Sequence, residues 1–164
     1  MKPRRHWWIW IIVLLYIYFI FSNSMQVAEA SNELSRKVTW WIINQLQTIG
    51  LYCDFSVFHH FVRKLAHFSE FAGLGFLVTI SLAVCPLFNS AFLNFILFLI
   101  AIPLADETIQ RFIAGRSSQM NDMIIDGSGF LLGGLLGYLF VLVIKDLFKP
   151  KHETDQSPEE SASC

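Results

Sequence analysis

Four blocks of apolar residues constrain this chain more than any other feature. Trp7–Phe21 is an unbroken apolar run, and Phe71–Phe88 is interrupted only by Thr79, Ser81, Pro86 and glycines. Ala91–Ala105 is broken only by Asn94 and Pro103, and Phe130–Ile144 is apolar or glycine throughout. A soluble domain spreads its apolar residues with helical or strand period, so that each element keeps one wet face. These blocks have none. A helix that crosses the hydrocarbon needs about 20 residues, within a range of roughly 17–25, and each block reaches that length once its flank is added. The sequence therefore predicts an all-α polytopic membrane protein in which residues 1–148 carry four transmembrane helices. Residues 149–164, rich in Ser, Glu and Pro, read as a disordered cytoplasmic tail.

The first block has two readings. A basic start, an apolar middle and Ala28-Glu29-Ala30 have the form of a cleaved leader. Polar Ser22, Asn23 and Ser24 separate the block from that site, which favours a retained helix. Four spans put both termini on one side. Lys2, Arg4, Arg5, Lys145, Lys149 and Lys151 there balance Arg36, Lys37, Arg63, Lys64, Arg111 and Arg116 in the opposite loops. The terminal cations crowd helix ends while the loop cations lie among acids, so both termini are expected in the cytoplasm. Between the first two spans, Leu34, Val38, Trp41, Leu46 and Ile49 recur at helical spacing beside Trp40, with Gly50 as a stop. An amphipathic helix lying in the membrane interface is expected there. A net charge of −1 implies no nucleic-acid partner. Cys53, Cys85 and Cys164 follow no ligand or disulfide spacing and take no role.

The polar residues that remain gather at one membrane face. Lys64, His67 and Glu70 are three apart and share one side of the helix entering the second span. Asp106, Glu107 and Gln110 continue the third helix past its apolar part, with Gly115 placed to end it. Asp122 and Asp126 are four apart at the start of the last helix. A carboxylate at the centre of a spanning helix costs about 2.5–3.5 kcal/mol to insert, less near the ends. These groups must therefore face each other, face Lys64 and Arg116, or line a wet cavity. Taken singly, each has a plainer reading: Lys64 as an interfacial anchor, His67 and Glu70 as a structural pair, Asp122 as a helix start. Their convergence from three segments is what points to a functional pocket. Gly129, Gly133 and Gly137 form a small-residue stripe for close helix packing, within the chain or between copies, and Gly73 is the expected matching groove.

At these residues the chain resembles the VanZ-like family of small membrane proteins, from Ser22 to about Gly137. The exit from the first helix is "SNS", Ser22–Ser24. A K-x-x-H-F-x-E-[FY]-x-x-L-G motif appears from Lys64 to Gly75, and a D-E-x-x-Q-x-F-x-x-x-R motif from Asp106 to Arg116. A D-x-x-x-[ND]-x-x-G motif closes the set from Asp122 to Gly129. Many members carry Asn where this chain has Asp126. The resemblance implies reduced susceptibility to lipid-tailed glycopeptides such as teicoplanin.

Three functions compete. In the first, the protein engages membrane lipids or a lipid-linked envelope component through the polar pocket, with Lys64, Gln110, Arg116, Ser22 and Asn23 as ligand-binding residues. In the second, it is an enzyme on an envelope phospholipid, with His67 as general acid or base oriented by Glu70. Asp106, Glu107, Asp122 and Asp126 would then hold a divalent cation, Mg or Mn, which a carboxylate cluster suits better than zinc. In the third, it is a small ion- or proton-coupled transporter, which four short spans support only as a homo-oligomer.

Overall fold

The computed structural model describes residues 6–25, 28–113 and 120–148, so the expected tail, Gly115 and Arg116 lie outside the described residues. Five helices follow one another: α1 (Ile9–Ser24), α2 (Ala28–Thr48), α3 (Phe55–Val84), α4 (Ala91–Arg111) and α5 (Met120–Leu147). α3, α4 and Asn121–Leu147 of α5 are long and apolar enough to cross a membrane. α1 is apolar but has 16 residues, about 24 Å at 1.5 Å per residue, short of a hydrocarbon core of about 30 Å. Four full spans thus become three long helices and a shorter one. The reason is local: α1 ends on the polar Ser22-Asn23-Ser24 segment, and Trp7 and Trp8 form a turn before it.

The helix ends follow from short polar signals. Asp54 caps α3, its carboxylate accepting from the Ser56 and Val57 amides at 2.8 and 3.2 Å and from the Ser56 hydroxyl at 2.6 Å. Ser90 caps α4 by accepting from the Leu93 amide. Asn94 then closes the α3–α4 connection by bonding both the N–H and the C=O of Phe88 at 2.8 Å. α2 ends as expected at Gly50, whose φ of +81° suits glycine. There the Leu51 amide donates to the Leu46 carbonyl and the Gly50 amide to that of Gln47, the paired bonds of a glycine-terminated helix.

The packing fixes the helix directions. Tyr16 lies over Gly73, Asn23 bonds Glu70, and the Trp10 indole N–H donates to the Cys85 carbonyl at 3.0 Å, so α1 and α3 run antiparallel. Trp10 stacks on Phe98 and Ser24 meets Gln110, so α1 and α4 run parallel. α5 runs parallel to α3 in the closest contact of the molecule. A Cβ at Gly129 would fall on the Phe68 carbonyl, one at Gly133 on that of Ala72, and one at Gly137 would lie 3.0 Å from that of Phe76. The stripe expected to serve helix packing or association of copies is therefore occupied within the chain, and its groove is the backbone of Phe68, Ala72 and Phe76. Gly73 instead makes room for the Tyr16 hydroxyl of α1. Val13, Ile20, Phe71, Leu74, Val78 and Phe130 form the buried core between α1, α3 and α5.

α2 packs on α3 through Thr39 and Ile43, which are buried, and Trp40 lies against Phe55. Val38, Trp41 and Ile49 of the expected apolar stripe are exposed. These three face away from the bundle, leaving apolar surface for another environment, while Leu46 is half-buried.

Candidate functional site

The directions of the helices bring the end of α1, the first half of α3, the end of α4 and the start of α5 to one end of the bundle. On α3, His67 lies 18 residues before Cys85, which is about 27 Å along the axis. On α5, Asp126 precedes Lys145 by 19 residues, about 28 Å. The polar groups therefore sit about one hydrocarbon thickness from the other end, at the edge of the layer the helices can span.

Asp106, Glu107 and Gln110 of α4 are buried, at 0%, 4% and 4% exposure, and Asp126 of α5 is buried at 1%. Acids near the C-terminus of α4 meet the negative end of its dipole, which adds to the cost of burial. Gln110 offsets part of it by donating from Nε2 to Asp106 Oδ2 at 2.6 Å. The same nitrogen lies 3.4 Å from the Ser24 hydroxyl of α1. Asn23, also on α1, donates to Glu70 Oε1 at 2.9 Å. Two consecutive residues of the short first helix thus reach polar groups of α3 and α4.

Lys64 pairs with Asp122 at 3.6 Å, both side chains about one-third exposed. They line a cavity of about 50 Å³ with His60, Arg63, His67 and Asp126, large enough for a few water-sized occupants. Behind its opening, one ligand atom each from His67, Asp106 and Asp126 lie within 4.8 Å of one another. Both carboxylate oxygens of Glu107 and Oδ1 of Asp126 are buried with no hydrogen-bond partner among the described residues.

The expected residues therefore divide in two. His67, Asp106 and Asp126 converge inside, while Asp122 stands at the mouth on Lys64. Glu107 is buried beside Asp106, and Glu70 is held by Asn23 across the α1–α3 contact. Gln110 bridges α4 to α1. Ser22 is half-buried on α1, while Ser24, which is not among the expected ligand-binding residues, is fully buried beside Gln110. The signal was present, because Val13, Ile17, Ile20 and Ser24 continue one helical stripe into the core. His60, one turn before Lys64, was also missed. It belongs to the same helix face by its spacing of four.

A family model described as VanZ/LLP1 matches residues 7–145. No curated protein and no solved structure matches the chain.

Proposed function

From the premise that the chain belongs to the VanZ/LLP1 family, we propose that it acts at the cell envelope by binding the charged head of a membrane lipid or lipid-linked component. Lowered susceptibility to lipoglycopeptide antibiotics such as teicoplanin is the expected consequence. One observation supports this reading above the rest: α1, α3, α4 and α5 bring polar side chains to one end of an apolar bundle, where α3 and α5 line a polar chamber. A purely structural end would not need two buried carboxylates with unpartnered oxygens, each costly in a membrane. Arg63, Lys64 and His60 at the mouth suit an anionic headgroup, and the guanidinium fork of Arg63 matches a phosphate. The Lys64–Asp122 pair is long and half open, so Lys64 is available to exchange partners. In this reading the site faces the outer leaflet, both termini are cytoplasmic, and α1 completes a fourth, short span. α2 lies in the interface with Trp41 and Val38 toward lipid.

The test is expression of wild type, His67→Ala and Asp122→Asn at matched membrane levels in a teicoplanin-sensitive Gram-positive host. Both variants should lose protection and labelled drug should bind the cells as in the empty host. Full protection by both variants refutes a role for the chamber.

A second reading, an enzyme on an envelope phospholipid, is favoured by His67 standing with two carboxylates beside the cavity. His67 would exchange a proton with the substrate, with Glu70 positioning it. A change in envelope lipid composition on expression, absent with His67→Ala, distinguishes this reading from binding alone.

A further inference from the structure

We propose that His67, Asp106 and Asp126 form a divalent-cation site. One side chain comes from each of α3, α4 and α5, and their ligand atoms all lie within 4.8 Å of one another. Three donors at about 2.0–2.2 Å from one small divalent ion lie up to about 3.8 Å apart, so from separations of up to 4.8 Å each closes on the ion by at most roughly 0.6–0.8 Å. Clustered acids alone would not make such a site. The independent observation is the Asp126 carboxylate, which lies within the cluster, is 1% exposed and has its Oδ1 unpartnered among the described residues. Glu107, next to Asp106 in the chain, is 4% exposed and has both carboxylate oxygens unpartnered among the described residues.

Buried carboxylates in this number stay ionised only beside a compensating charge, and otherwise take up protons. Lys64 does not supply it, because its ammonium is on Asp122 at the mouth, at 3.6 Å. A cation held by His67, Asp106 and Asp126 does, and Glu107 adds charge beside it. One imidazole with two carboxylates is a mixed nitrogen and oxygen set. Such a set suits Mn²⁺ better than a soft thiolate-seeking ion and better than Mg²⁺, which prefers oxygen alone. Ion access is through the cavity of about 50 Å³, whose wall includes His67 and Asp126. The ligand set differs from the one that spacing suggested: Asp122 and Glu107 leave it and His67 enters. The site stands whether or not the chain alters antibiotic susceptibility.

The full chain, purified in detergent and stripped with chelator, would be titrated with Mn²⁺ while the free ion is followed by electron paramagnetic resonance. The expected result is saturable binding of about one ion per chain, with affinity reduced roughly tenfold or more in Asp126→Asn and in His67→Gln. Ser128→Ala, on the exposed side of α5, should bind as wild type. Circular dichroism and gel filtration establish that each protein compared is folded. Wild-type stoichiometry needs no variant, so absence of saturable Mn²⁺ binding by folded wild type overturns the proposal. Unchanged affinity in a folded Asp126→Asn/His67→Gln double variant also overturns it.

Discussion

Asp106 lies five residues before the end of α4, where the peptide dipoles create negative potential, so its carboxylate needs a donor close by. Gln110, one turn later, supplies it at 2.6 Å. Hydrogen bonds to charged acceptors contribute about 1.5–3 kcal/mol, so Gln110→Ala should lower stability in detergent by roughly that amount. Gln110→Glu keeps the shape and replaces a donor with an acceptor. It should cost more than the alanine variant at neutral pH, and a thermal melt that ranks them the other way would show that the contact carries no weight. Asp54 gives a separate case in water. The Ser56 hydroxyl, then the Val57 and Ser56 amides, hold its carboxyl below the ordinary carboxylate range. A lowered folded-state value means the cap's contribution is present above the unfolded value, near 3.9, and is lost as pH falls through the folded one. Hydrogen exchange at the Ser56 and Val57 amides should therefore be faster in Asp54→Ala than in wild type at neutral pH. The difference should vanish only in strong acid.

Among the elements, α3 and α5 make the contact on which the site depends, since His67 directly precedes Phe68 and Asp126 lies about one turn before Gly129. Gly133→Ala would drive a methyl group into the Ala72 carbonyl. Backbone against backbone has no rotamer to yield, so overpacking should cost about 1–3 kcal/mol. Gly127→Ala is the matched control: its methyl would meet only Leu99 Cδ1 at 3.9 Å, and the gain in helix propensity, up to about 1 kcal/mol, should leave stability equal or higher. If both substitutions destabilise equally, close helix approach is not what the glycines provide. The stripe itself was legible because small residues four apart share a helix face. Its partner was not, since spacing identifies a face without saying what covers it. Gly73 looked like the complementary groove and proved to accommodate Tyr16. The same limit applies to α2: its Gly50 stop was readable, but its start at Ala28, ahead of the Leu34–Ile49 pattern, was not, and Thr39 and Ile43, an unremarkable pair in sequence, are the residues that pack.

For the molecule as a whole, block hydropathy was enough to indicate an α-helical membrane protein, and the charged residues that break the pattern marked one end of the bundle. Which acids converge depends on the rotation of α3, α4 and α5 about their axes, a tertiary property that linear spacing does not encode. That is why Asp122, four residues from Asp126, points to Lys64 at the mouth instead of joining His67. The alternation of helix directions places the described start of α1 and end of α5 together, opposite the site, so a single accessibility measurement orients every element. Cys53 is suited to it. It lies exposed in the α2–α3 connection at the site end, whereas Cys85 is buried near the other end. With Cys85→Ser and Cys164→Ser, Cys53 is the sole thiol. If the chamber faces outward, a membrane-impermeant maleimide should label this protein in intact cells as fully as after permeabilisation. Labelling that requires permeabilisation would place the chamber on the cytoplasmic side, where it would meet inner-leaflet lipids and have no direct access to an antibiotic outside.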